Sequence, residues 1–107
     1  MSVAVDLPQQ HAHQALQRLL AAGAAAGLPA LQWTIGEDGR LTGDATGLTR
    51  TAEQQRADLE AWARHLRVMV RRTDDDLGAV HLRATFRRRV QGVELRGRLV
   101  ATLFPAV

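Results

Sequence analysis

The sequence predicts an α+β domain: a two-layer sandwich in the order α-β-β-α-β-β-β, with both helices on one face of a mostly antiparallel five-stranded sheet. Three observations carry this reading. Two stretches space their apolar residues at helical intervals, five alternate apolar with polar residues as half-buried strands do, and turn residues separate them. With 107 residues, 46% hydrophobic and 23% charged, the chain has the size and composition of one globular domain, 1–107.

The first helix is expected over 7–22, extending at most to 26. Asp6 is its N-cap, Gln9 stands in capping-box position and Pro8 lies in the first turn. Ala12, Ala15, Leu16, Leu19 and Leu20 form its apolar stripe, and Gly27 with Pro29 beyond it ends the helix. Strands over 31–36 and 40–45 follow, joined through Glu37-Asp38-Gly39. Parity selects the register. A two-residue loop would split the apolar faces, whereas a three-residue loop with left-handed Gly39 pairs Ile35 with Leu41 and Trp33 with Gly43.

The second helix, 51–66, opens on a Thr51/Gln54 capping box and carries Leu59, Trp62, Ala63 and Leu66 as its apolar stripe. Glu60 and Arg64 are spaced for a helical ion pair. The remaining chain reads as a meander with strands over 66–73, 79–90 and 93–104. An acidic turn at Thr73–Gly78 and a two-residue loop at Gln91-Gly92 connect them. Pairing Val90 with Val93 sets Phe86 over Gly97, an aromatic covering a strand glycine as Trp33 covers Gly43. The expected core is Leu16, Leu19, Leu20, Trp33, Ile35, Leu59, Trp62, Leu66, Val70, Leu82, Phe86, Leu95 and Leu99.

All fourteen basic residues are arginine, and the net charge is only +3. Arginine, alanine and glycine have GC-rich codons, so a GC-rich bacterium or its phage is the expected source. What matters is where the charge falls. If the even-numbered residues of the 79–90 strand face the helices, the other face carries Arg67, Arg71, Arg83, Arg87, Arg89, Arg96 and Arg98 against a single glutamate, Glu94. In this register Arg87 opposes Arg96, an unfavourable like-charge pair, and Arg89 opposes Glu94 as the one neutralised pair. Such a face suits phosphate or an acidic protein surface.

Other constellations lack the spacing their chemistry needs. His11 and His13 point to different faces of a helix, and Asp74-Asp75-Asp76 has no glutamate where a calcium loop requires one. Gly36, Gly39 and Gly43 lie across a hairpin and form no phosphate loop. There is no cysteine, and Ser2 is the one serine, so the commonest acyl-transfer nucleophiles are lacking. We therefore expect no catalytic residues, metal or cofactor. No apolar run is long enough to span a bilayer, and the first residues show no secretory signal, so a cytoplasmic protein is expected, with no membrane partner. The element order resembles, at the level of fold, small bacterial α+β chaperones that dimerise and cradle a partner. The expected function is a non-enzymatic protein-interaction module, a homodimer or one that binds an acidic protein. The alternative is a nucleic-acid-binding protein using the arginine face.

Overall fold

The computed structural model describes residues 7–47, 49–90 and 92–104. Its elements are α1 (Leu7–Ala25), β1 (Gln32–Ile35), β2 (Leu41–Asp44), α2 (Ala52–Leu66), β3 (Arg71–Asp74), β4 (Val80–Val90) and β5 (Val93–Leu103). They build one five-stranded sheet in the order β1-β2-β5-β4-β3. Every pairing is antiparallel except β2 with β5, which run parallel. The α+β architecture expected from the sequence is therefore the one observed.

Both helices lie on the face that carries the apolar parity of the strands. Leu16 and Leu19 of α1, Leu59, Trp62 and Leu66 of α2, and Leu41, Leu82, Phe86, Leu95 and Leu99 of the sheet form one buried cluster. Trp33 joins the layers, meeting the Trp62 ring edge-on at 5.4 Å and the Phe86 ring at 6.4 Å. Both tight hairpins adopt the expected registers, Ile35↔Leu41 with Trp33↔Gly43, and Val90↔Val93 with Phe86↔Gly97. Gly39 takes φ 82°, so the left-handed residue of the first hairpin stands where the parity argument needs it.

α2 starts on the expected capping box: the Gln54 N–H donates to Thr51 Oγ1 (3.1 Å), and the Thr51 N–H donates to Gln54 Oε1 (2.9 Å). The proposed cap of α1 at Asp6 lies outside the described residues. At its other end α1 runs to Ala25 and closes as a Schellman motif, with Leu28 N–H on Gly23 O (2.9 Å) and Gly27 at φ 75°.

Four expectations need correction. β3 begins at Arg71, not at 66, because α2 ends in a second Schellman turn. There Val68 N–H donates to Ala63 O (2.9 Å) and Arg67 takes φ 59°, ψ 48°. Val68 and Val70 are only partly buried against the core from the connection that follows. Leu20 is 39% exposed, since Ala12, Ala15, Leu16 and Leu19 already fill the stripe and Leu20 sits on its flank. Trp33 and Ile35 pack on the core but stay partly exposed, as residues of an edge strand. Finally, Glu60 and Arg64 form no ion pair among the described residues, in keeping with the small worth of exposed helical pairs.

Candidate anion-binding face

Among the described residues no helix covers the second face of the sheet. Strand alternation places Arg83, Arg87 and Arg89 of β4 on it, and cross-strand pairing adds Arg96 and Arg98 of β5. Arg71 joins them, because β3 pairs it with Arg83. All six are exposed. Arg67, the seventh predicted member, does not belong to the face: it is the left-handed residue of the α2–β3 turn, outside the sheet.

The charges on this face are only partly compensated. The register does set Arg89 opposite Glu94, but the carboxylate turns elsewhere. It lies 3.4 Å from Arg87 Nε and 3.9 Å from an Arg96 nitrogen, bridging the two arginines that oppose each other directly. Relief of that like-charge contact is the physical reason for the diagonal choice. Arg98 Nε donates to Thr42 Oγ1 at 3.4 Å, and Arg71, Arg83 and Arg89 have no ion pair among the described residues.

One component could not be found without the strand order. Because β2 runs parallel to β5 from Leu41↔Gly97 onward, the β1–β2 turn lies beside the start of β5. Between turn and strands opens a cleft of ≈ 790 Å³ lined by Arg40, Arg83, Arg87, Arg96 and Arg98, with Asp38 its one acidic lining residue. Asp38 holds Arg40 from within the turn, at 3.3 Å between Oδ2 and Nε. Thr34, Thr42 and Thr85 add hydroxyls to the same walls. Planar guanidinium forks and hydroxyls facing an open concavity are suited to binding carboxylate or phosphate oxygens.

The acidic turn acts as a clasp on its hairpin. Asp75 Oδ1 accepts from the backbone N–H of Leu77 (2.8 Å) and Ala79 (2.9 Å), while Oδ2 lies 3.0 Å from His81 Nε2. The contact with His81 first, and the Ala79 amide second, hold the Asp75 carboxyl below its ordinary range. Asp74 is lowered too, chiefly by its hydrogen bond from Arg72. His81 Nδ1 lies 3.4 Å from Thr102 Oγ1, which completes an Asp–His–Thr line across the sheet. None of the three lines the cleft, and the aspartate is committed to the turn backbone, so this line reads as a strut.

A second polar cluster also escaped sequence reasoning. Arg50 clamps the buried carboxylate of Asp58 through Nε (3.0 Å) and a terminal nitrogen (2.7 Å), and Gln55 Nε2 donates to Gly47 O and Arg50 O. Together they tie the 45–51 loop to α2. The spacing of eight between Arg50 and Asp58 follows no periodic rule, so nothing in the sequence flags it. Among the described residues no group of three or more histidines and carboxylates is placed to hold a metal ion, and no helix is long and apolar enough to cross a membrane.

No known protein family, no curated protein and no solved structure matches this chain. The likeness to small bacterial chaperones therefore rests on element order alone.

Proposed function

We propose that this chain is a non-enzymatic interaction module that binds a polyanionic partner on the open arginine face of its sheet. One observation carries the reading: Arg40, Arg83, Arg87, Arg96 and Arg98, drawn from three separate segments, converge on one cleft with Asp38 as the opposing charge. A solvated face needs no such convergence, and an arginine stack of one sign costs stability in the free protein. An anionic partner would turn that cost into charge-assisted hydrogen bonds. The test is retention on immobilised polyphosphate in a salt gradient. The wild-type chain is expected to elute well after Arg83→Glu/Arg98→Glu, and co-elution of the two proteins would defeat the proposal.

A second reading, self-association, is favoured by the character of the two sheet edges. β3 presents only exposed residues and an internal Arg72–Asp74 ion pair, a charged edge of the kind that blocks strand addition. β1, Gln32–Ile35, carries no charge. A homodimer would form by β1 pairing with its symmetry mate, leaving both arginine faces free. Light scattering at micromolar concentration decides this: a mass of one chain removes the dimer.

A further inference from the structure

We propose that the polyanion is B-form duplex DNA, with the distal β4–β5 ribbon entering the major groove and one phosphate row lying in the cleft beside it. The inference rests on the polyanion reading above and adds the partner and the docking element.

The ribbon is defined by where its neighbours stop. β3 pairs with β4 only as far as Arg83, and β2 pairs with β5 only from Gly97 onward. The pairs Arg87↔Arg96, Arg88↔Leu95, Arg89↔Glu94 and Val90↔Val93 therefore have no flanking strand among the described residues. Leu95 is 1% exposed and Val90 packs partly against the core, so the inner face of this ribbon rests on the core at these positions, while Arg88 opposite Leu95 is exposed. Two strands about 5 Å apart fit a B-DNA major groove about 12 Å wide, which admits such a ribbon. The outer face at this end carries Arg87, Arg89 and Arg96, whose forks match the O6/N7 edge of guanine. Glu94 orients Arg87 and Arg96 and retains acceptor capacity for a cytosine amino group.

Reach assigns the remaining arginines to phosphates. With the ribbon entering tip-first, Arg83 stands roughly 20 Å from Arg89 along β4, beyond the groove depth of about 8.5 Å. Arg83, Arg98 and Arg40 thus fall outside the groove, on the walls of the cleft, where a sugar-phosphate row would lie. The alternatives fit less well. Among the described strand residues this face has no aromatic side chain, and the exposed Phe104 lies past the end of β5 opposite the ribbon, so a single strand finds no run of stacking platforms. Val100 is its one apolar side chain, whereas the centre of a protein interface is depleted in charge and rich in apolar anchors. Duplex RNA keeps its major groove too deep and narrow to enter.

The experiment is fluorescence anisotropy with a mixed-sequence DNA duplex, the same duplex with 7-deazaguanine for guanine, its single strand, an RNA duplex and polyglutamate. The duplex is expected to bind best, with a log–log salt slope of about −2.7 from three phosphate contacts, a loss of about 40-fold between about 50 and 200 mM salt. Deazaguanine removes only the major-groove N7 acceptor and should weaken binding on the order of tenfold. Arg87→Gln/Arg96→Gln, which removes the opposed cations without adding like charge beside Glu94, should abolish binding while the protein stays folded by circular dichroism, and Arg83→Glu, which breaks no ion pair, should do so in part. Equal binding of the deazaguanine duplex or of RNA overturns groove entry. Preference for the single strand or polyglutamate overturns the duplex-DNA assignment while leaving the polyanion reading intact. Binding of none of them at low salt overturns both.

Discussion

Arg67→Gly should make this protein more stable, an unusual expectation for a substitution that deletes a whole side chain. Arg67 closes α2 at φ 59°, ψ 48°, the only positive φ at a non-glycine position among the described residues. A side chain in that region costs about 1–2 kcal/mol through the clash of Cβ with the following carbonyl, and glycine avoids it. Against this stands the extra freedom glycine gives the unfolded chain, about 0.4–1 kcal/mol. The net gain is about 0.5–1 kcal/mol, or about 2–6 °C in Tm for a domain of this size. The Arg67 side chain is exposed and enters no ion pair, so little is lost with it. Arg67→Ala is the control: it removes the same side chain but keeps Cβ, and should leave Tm nearly unchanged. Thermal unfolding by circular dichroism measures all three proteins. If the glycine variant melts no higher than the alanine variant, the strain assigned to Arg67 is wrong. The pair also tests the site, since Arg67 stands off the sheet and both variants should bind polyanions almost as wild type does.

Gly97→Ala should destabilise by about 3 kcal/mol, at the upper end of overpacking, because its Cβ would meet the Phe86 ring and lie 2.9 Å from the immobile Leu41 carbonyl. At Gly43 the nearest atoms to an added Cβ all belong to the Trp33 ring, at 2.8 Å and beyond, and Gly43→Ala should cost about 1–2 kcal/mol by urea titration of both variants. Trp62→Phe strands the Pro29 carbonyl that Trp62 Nε1 donates to at 2.7 Å, whereas Trp33 Nε1 is buried with no partner. Trp62→Phe should therefore cost about 2 kcal/mol more than Trp33→Phe by denaturant midpoint. The lowered Asp75 carboxyl makes its clasp fully effective above the ordinary unfolded value near 3.9 and removes it as pH falls through the folded value. Amide resonances of Leu77 and Ala79 should shift together below about pH 4, and Asp75→Asn should remove that transition.

What the sequence reveals and what it hides divide along a physical line. Hairpin register is local: parity, one glycine and one aromatic decide it, and Trp33 over Gly43 with Phe86 over Gly97 were legible for that reason. Arg67 was misread because Leu66, Val68 and Val70 alternate as strand residues do, while the backbone demand for a helix-closing turn leaves no mark in a non-glycine residue. Strand order is global. Nothing in Leu41–Asp44 announces a parallel pairing with residues 97–100, and that pairing brings Arg40 to the arginines of β4 and β5. The face was thus predictable from alternation, and the cleft was not.

The distribution of charge gives the proposed site its physical weight. Arg71, Arg83, Arg87, Arg89, Arg96 and Arg98 against Glu94 and Asp44 leave the open face at +4, while the whole chain carries +3. The rest of the molecule is therefore net negative, and the protein is a dipole with its positive end on the uncovered sheet. The chain does not arrange charge this way everywhere. On the β3 edge Arg72 is neutralised by Asp74, and in the β1–β2 turn Arg40 is held by Asp38. Positive charge accumulates where alternation gathers side chains on the face that neither α1 nor α2 covers. A dipole of this kind orients an approaching polyanion before contact and speeds its capture at low salt. On the reading proposed above, a bound polyanion would form the second layer over the open face and relieve what remains of the Arg87–Arg96 repulsion beyond the Glu94 bridge.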